Sequence, residues 1–194
     1  DEVIKLVRKS KKFMPHFHIP MQSGSDIVLG KMKRRYQTKL YRTKIEKIVR
    51  EVKDVCIGAD VIVGFPGETN EEFDKTLNFI KDLPLSYLHV FTYSERENTP
   101  AIDMDGVVSK SDRAERSKQL RILSNKLQRA FYEKYLDTEH TALFEQENKE
   151  GYLFGFTDNY IKIKIPFQST ICRTKKQARL IAIDDDGIMK AEIA

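Results

Sequence analysis

Three times in this chain a short apolar run ends in small, polar and turn-forming residues and then passes into a helical pattern. The runs are HIPMQSGSD at 18–26, DVIVGFPGET at 60–69 and VFTYSERENTPA at 90–101. Strands joined through single helices cannot form hairpins. They pair in parallel, through right-handed crossovers. In a parallel sheet the loops after the strands share one end, so the three clusters are expected to line a common pocket.

The pattern between the runs supports this order. Residues 2–10 read as a helix with Val3, Ile4, Leu6 and Val7 on one face, and 13–21 as a short strand closed by a turn at Gly24. Residues 37–52 put Tyr41, Ile45, Ile48, Val49 and Val52 at helical spacing, with lysines and arginines between them. The mostly apolar run 55–63 predicts a parallel strand covered on both faces. Thr69 followed three residues later by Glu72 predicts a capping box, and Phe73, Leu77 and Ile80 supply that helix with a stripe ending near Pro84. Residues 87–93 form the next predicted strand.

A polar stretch at 103–109 then separates this half from a long helix capped by Ser109 or Ser111 and running to about Tyr135. Its expected stripe is Leu120, Leu123, Leu127, Ala130 and Phe131. Arg113, Arg116, Lys118, Arg121, Lys126 and Arg129 are expected on a solvated face. Five short β-rich runs follow at 141–145, 152–156, 160–165, 178–183 and 188–193, several divided by Gly151, Asp158-Asn159 or Asp185-Asp186-Gly187. So many short strands in so few residues suggest a small closed barrel of the OB type. The predicted fold class is α/β, with a partial barrel at 1–110, a connecting helix at 111–136 and a β-barrel at 137–194.

Lys and Arg number 34 against 29 Asp and Glu, a net charge of +5 that is compatible with a nucleic-acid partner. The two cysteines, Cys56 and Cys172, are far apart and in no CxxC spacing, so their thiols alone build neither a zinc site nor an iron–sulfur cluster. His16 and His18 are the only close histidines, and their spacing suits same-face residues of a strand, so no metal site is expected. No apolar segment approaches the ~18 residues of a membrane span. The chain opens at Asp1 in what reads as mid-helix, so a piece of a larger cytoplasmic protein is expected.

Each loop cluster has a plain reading as a strand-to-helix turn. Yet Gly64 and Gly67 would let a ligand approach the backbone, and the helix N-terminus behind them favours an anion. The segment 18–36, DVIVGFPGET at 60–69 and HVFTYSERENTPA at 89–101 together resemble the second half of the radical S-adenosylmethionine (radical-SAM) barrel of tRNA methylthiotransferases. Residues 137–194 resemble the TRAM domain, a tRNA-binding module that follows that barrel in the family. GFTDNY at 155–160, with His89-Val90-Phe91, resembles the branch acting on threonylcarbamoyladenosine more than those acting on isopentenyladenosine or a ribosomal protein.

The resemblance implies that S-adenosylmethionine and iron–sulfur clusters serve the full-length enzyme, with cluster cysteines that this chain lacks. It also implies that the chain alone is inactive. By motif match, Gln22, Ser23 and Ser25 would contact the ribose or amino-acid end of the cofactor. Ile62, Gly64 and Phe65 would line its adenosine, and the backbone of Phe91 and Tyr93 would meet the adenine edge. Arg96 and Thr99 would lie nearer the tRNA, and in the barrel Tyr160, Lys162, Lys164, Arg173, Lys175 and Lys176 are expected to bind it by stacking and phosphate contact. Glu97-Asn98 stands where the family has Pro-Gly, which leaves the conformation of that loop open. The open edges of a three-stranded sheet make self-association plausible. A stand-alone RNA-binding module is the alternative outside enzymes.

Overall fold

A computed structural model describes residues 1–194, apart from the side chains of residues 147 and 148. The chain divides into two compact units: 17–50 with 57–127, and 1–16 with 51–56 and 128–194.

The first unit carries most of a three-stranded sheet in the order β1-β2-β3, formed by β1 (His16–His18), β2 (Cys56–Val63) and β3 (Tyr87–Thr92). β2 and β3 are parallel, with Gly58 opposite Tyr87 through to Val63 opposite Thr92. β1 is shorter than the sequence suggests because Pro20 has no N–H to give the ladder. Pairing resumes beyond it, where Gln22 bridges Val61 in parallel. Ile57, Ala59, Val61 and Val63 are fully buried along one face of β2. Asp60 and Ile62, on the other face, are only half-buried. The expectation of a strand covered on both faces is therefore corrected: one face packs, and the other is partly open.

Helices α2 (Asp26–Lys31), α3 (Thr38–Glu51) and α4 (Asn70–Lys81) connect the strands. Val28, Leu29, Ile45, Ile48, Phe73 and Ile80 supply their buried positions. Thr69 caps α4 by accepting from the Glu72 N–H at 3.3 Å. Only this half of the capping box forms, because the Glu72 carboxylate instead takes hydrogen bonds from Ser25 and Lys75.

A long helix, α5 (Lys110–Glu133), contributes residues to both units. Ser109 starts it, accepting from the Asp112 N–H at 3.0 Å. Its buried stripe begins earlier than predicted, with Arg113, Arg116 and Ser117 before Leu120, while Ala130 is exposed. Along the outer edge of β3, the Ser124 hydroxyl bonds both N–H and C=O of Leu88, and Arg121 donates to the Val90 carbonyl. Side chains of α5 thus occupy backbone groups that another strand would otherwise pair.

The second unit contains α1 (Glu2–Lys9) and a five-stranded closed barrel. In α1 only Ile4 is buried; Val3 and Leu6 are exposed, so the broad apolar face expected there is not covered. The barrel comprises β4 (Glu139–Lys149), β5 (Tyr152–Thr157), β6 (Lys162–Pro166), β7 (Lys175–Ile183) and β8 (Met189–Ile193), in the cyclic order β4-β5-β6-β8-β7. All pairs are antiparallel except β6 with β8. Ala142, Phe144, Leu153, Ile163, Ile165, Ala178, Leu180 and Met189 fill its interior by strict inward alternation on most strands. Glu150 and Gly151 both have positive φ, as a tight hairpin turn between β4 and β5 requires.

Candidate functional site

β2 ends at Val63, and the next residue, Gly64, takes a left-handed φ of +77°. A Cβ there would lie 2.3 Å from Cγ of Arg113. The glycine thus admits a side chain of the same molecule, and the expected ligand approach at Gly64 is taken by Arg113. At Gly67 the occupant is Lys31, whose Nζ donates to the Gly67 carbonyl at 3.2 Å. The anion expected near this loop is also internal. Glu68 accepts from the Gly64 N–H at 2.7 Å and from Arg116 at 2.8 Å. Burial pushes the Glu68 carboxyl above the usual range, against the opposing pull of Gly64 and Arg116.

Arg113 and Arg116 are the residues the sequence misplaced. Both are buried rather than solvated. Arg113 donates to the carbonyls of Val108 and Tyr93 and pairs with Glu95 at 2.7 Å, which holds the Glu95 carboxyl below its ordinary value. Arg116 binds both the backbone and side chain of Glu68 and reaches Asn70 at 2.8 Å. Their signal was positional: Arg113 and Arg116 precede Leu120 by seven and four residues, on the same helical stripe.

The segment 22–25 is likewise held internally. Ser25 caps α2 by accepting from the Val28 N–H and donates to Glu72. Ser23 and the Gly24 N–H both meet the Thr76 hydroxyl, at 3.2 and 3.1 Å. A Cβ on Gly24 would stand 2.8 Å from the Thr76 Cα, so the glycine permits close packing on α4. Gln22, at a φ of 68°, accepts from Arg34. Ser23 and Ser25 are fully buried, so they position the loop rather than line an open surface.

A cavity of about 620 Å³ does open at this end of the sheet. Ile62, Phe65, Phe91 and Tyr93 line it together with Lys31, Lys33, Arg34, Arg96 and Thr99. Of the residues assigned to cofactor contact, Ile62, Phe65, Phe91 and Tyr93 therefore converge, and Gln22, Ser23, Ser25 and Gly64 do not reach the wall. Arg96 and Thr99, assigned to the tRNA side, line the same cavity. Phe65 and Tyr93 pack edge to face, with ring centroids 5.4 Å apart. The Tyr93 backbone is committed to Val63 and Arg113, but its hydroxyl is buried without a partner among the described residues. Asn98 adopts a φ of 62°, a conformation Asn tolerates.

In the barrel, Lys164 corrects the expected row of free cations. Its ammonium is buried between Asp184 and Asp186, each at 2.6 Å, and lies over the Tyr152 ring. Lys162 is half-buried over Phe154, whereas Arg173, Lys175 and Lys176 are exposed. Tyr160 is part of an aromatic stack, 3.8 Å from His16 and 5.0 Å from Phe156 between ring centroids.

Residues 1–80 match the family model described as the radical SAM superfamily. The chain is 40% identical over 167 residues to the threonylcarbamoyladenosine tRNA methylthiotransferase MtaB of Bacillus subtilis, an alignment covering 84% of this chain and 37% of that protein. With the enzyme of that name from Rickettsia prowazekii it shares 38% identity over 98% of its own length and 43% of the relative's. A tRNA-2-methylthio-N(6)-dimethylallyladenosine synthase of Symbiobacterium thermophilum is 35% identical over 85% of this chain and 36% of that protein. The chain thus spans about two fifths of the length of the curated relatives it matches. Among the described residues no helix is long and apolar enough to cross a membrane.

Proposed function

We propose that this chain is the C-terminal portion of a cytoplasmic radical-SAM tRNA methylthiotransferase acting on threonylcarbamoyl-modified adenosine. In this reading residues 1–110 form part of the radical-SAM barrel, 111–136 the connecting helix and 137–194 a TRAM-like module. The observation that carries it is the convergence of Ile62, Phe65, Phe91 and Tyr93 on one cavity with cations at its margin. Apolar walls suit an adenosine. The cations suit a carboxylate or a phosphate.

S-adenosylmethionine, when bound, would supply the methyl group and one-electron chemistry. Ile62, Phe65, Phe91 and Tyr93 would line the site of its adenosine. The donor set does not fit an iron–sulfur cluster: Cys56 is buried and Cys172 belongs to the barrel unit. The cluster ligands would have to come from the region of the relatives that this chain does not match. Gln22, Ser23, Ser25 and Gly64 would act by fixing the loops behind the cavity. On the barrel, Tyr160, Lys162, Arg173, Lys175 and Lys176 would meet tRNA, with Lys164 holding the β6 side of that surface in place.

The test is mass spectrometry of tRNA nucleosides from cells that lack the parent gene and are complemented with full-length variants. Phe65→Ala with Phe91→Ala should abolish methylthiolation of threonylcarbamoyladenosine and leave isopentenyladenosine unaffected. Full modification by the double variant would remove the cavity from the active site. A change confined to isopentenyladenosine would transfer the chain to the other branch.

A further inference from the structure

On the partly open face of the sheet, away from the buried Arg–Glu network, three side chains from three strands converge. Asp60 and His89 are direct neighbours in the β2–β3 register. His18 ends β1, which lies on the other side of β2. Nε2 of His18 lies 2.6 Å from Oδ1 of Asp60, and Nδ1 of His89 lies 3.5 Å from that same oxygen. The two imidazole rings are 4.8 Å apart and tilted by 35°. All three donor atoms lie within 4.8 Å of one another.

We propose that His18, Asp60 and His89 form a binding site for a divalent transition-metal ion of the zinc class. Two imidazoles and one carboxylate are a donor set that such ions prefer, and Mg²⁺ or Ca²⁺ do not. Donors at ~2.0–2.2 Å from a tetrahedral ion stand about 3.3 Å from one another. The two observed separations from Asp60 bracket that value. The His89 side chain is 55% exposed, so it is free to close the remaining distance and leaves a side open to a water or an added ligand.

The surroundings orient the first ligand. Gly58 lies opposite Tyr87, and a Cβ on it would fall 2.2 Å from the phenol ring. The missing side chain lets Tyr87 lie across β2, where its hydroxyl comes within 3.4 Å of His18 Nδ1. Nδ1–H can donate to that oxygen, leaving Nε2 as the ligand atom on the side of Asp60. The site lies two residues before Ile62 and Phe91 on their strands, about 7 Å below the wall of the cavity. It uses none of the residues assigned to the cofactor or tRNA, and it stands or falls separately from the proposed activity.

The experiment is equilibrium dialysis of the untagged 194-residue chain against Zn²⁺, Co²⁺ and Mg²⁺, with the visible spectrum of the Co²⁺ form. The expected result is one equivalent of Zn²⁺ or Co²⁺, no stoichiometric Mg²⁺, and a Co²⁺ spectrum without thiolate charge-transfer bands. Asp60→Asn and His89→Gln should each weaken Zn²⁺ binding at least tenfold, and Tyr87→Phe should weaken it less. Cys56→Ser with Cys172→Ser should leave it unchanged. Circular dichroism of His89→Gln, a change at an exposed side chain, separates loss of binding from loss of fold. Absence of stoichiometric Zn²⁺ uptake by the folded chain would overturn the proposal, leaving a His18–Asp60 hydrogen bond only. Uptake insensitive to Asp60→Asn and His89→Gln, or abolished by the cysteine changes, would overturn it equally.

Discussion

The sheet unit and the barrel unit face the same backbone problem and resolve it differently. In the barrel every strand has two neighbours, since β7 closes on β4. Ladder hydrogen bonds and an apolar interior hold it together, and Lys164 is buried there between Asp184 and Asp186. The sheet ends at β3, and its outer edge is covered by Ser124 and Arg121 of α5 instead of by a strand. Beyond that edge, the loop from Gly64 to Thr69 is fixed by Glu68, Arg113 and Arg116, all buried. The closed barrel satisfies its strands with one another, whereas the open sheet end is held by polar side chains beside the cavity lined by Ile62, Phe65, Phe91 and Tyr93.

The comparison breaks most readily at Arg116. Arg116→Leu strips the buried Glu68 carboxylate of its partner, and loss of one member of such a pair costs about 3–5 kcal/mol. Urea unfolding read by hydrogen exchange should show residues 60–69 losing protection while 152–166 keep theirs. Equal loss in both units would mean that they do not differ in this way.

A smaller effect is expected at Gly64, where Ala must adopt a left-handed φ and displace Arg113. A cost of about 1–3 kcal/mol, again confined to the sheet unit, is the expected outcome. The corresponding change at Gly151 in the barrel turn shares the strained φ but meets no neighbouring atom within 4 Å, so it should cost less.

On the barrel, the contrast is between free and committed cations. Lys162→Gln, Lys175→Gln and Lys176→Gln together should weaken tRNA binding and lower its salt dependence by roughly one per lost phosphate contact. Gel-shift titration across salt concentrations measures both. An unchanged slope would remove these cations from the RNA surface.

Lys164 should behave oppositely, through stability. Its hydrogen bonds hold the Asp184 and Asp186 carboxyls below their ordinary values, with help from Lys190 at Asp184 and the Ile188 backbone at Asp186. Depressed carboxyls contribute stability above the unfolded pKa, and that contribution is lost as pH falls through the folded value. The barrel should therefore lose stability below about pH 4, and Lys164→Met should flatten that acid limb. Denaturation midpoints from pH 2 to pH 6, on the order of one measurement per half unit, test the slope.

The sequence by itself determined the strand and helix order. Hydrophobic period, caps and turn residues act locally, so Tyr41 to Ile48 and the five short strands were legible from spacing alone. It also brought Ile62, Phe65, Phe91 and Tyr93 together, because parallel strands place their following loops at one end. Tertiary structure decided which polar residues are free. Arg113 and Arg116 read as solvated cations until Gly64 gave Arg113 space and Glu68 gave Arg116 a partner. Ser23 and Ser25 read as ligand contacts until α4 supplied Thr76 and Glu72. Lys164 read as an RNA contact until Asp184 and Asp186, twenty residues and more along the chain, enclosed it. The convergence of His18, Asp60 and His89 was equally invisible, because β1, β2 and β3 come together only in the folded sheet. Burial of a charged or polar group depends on what packs against it, and that neighbour is set by strand register across long sequence separations rather than by local pattern.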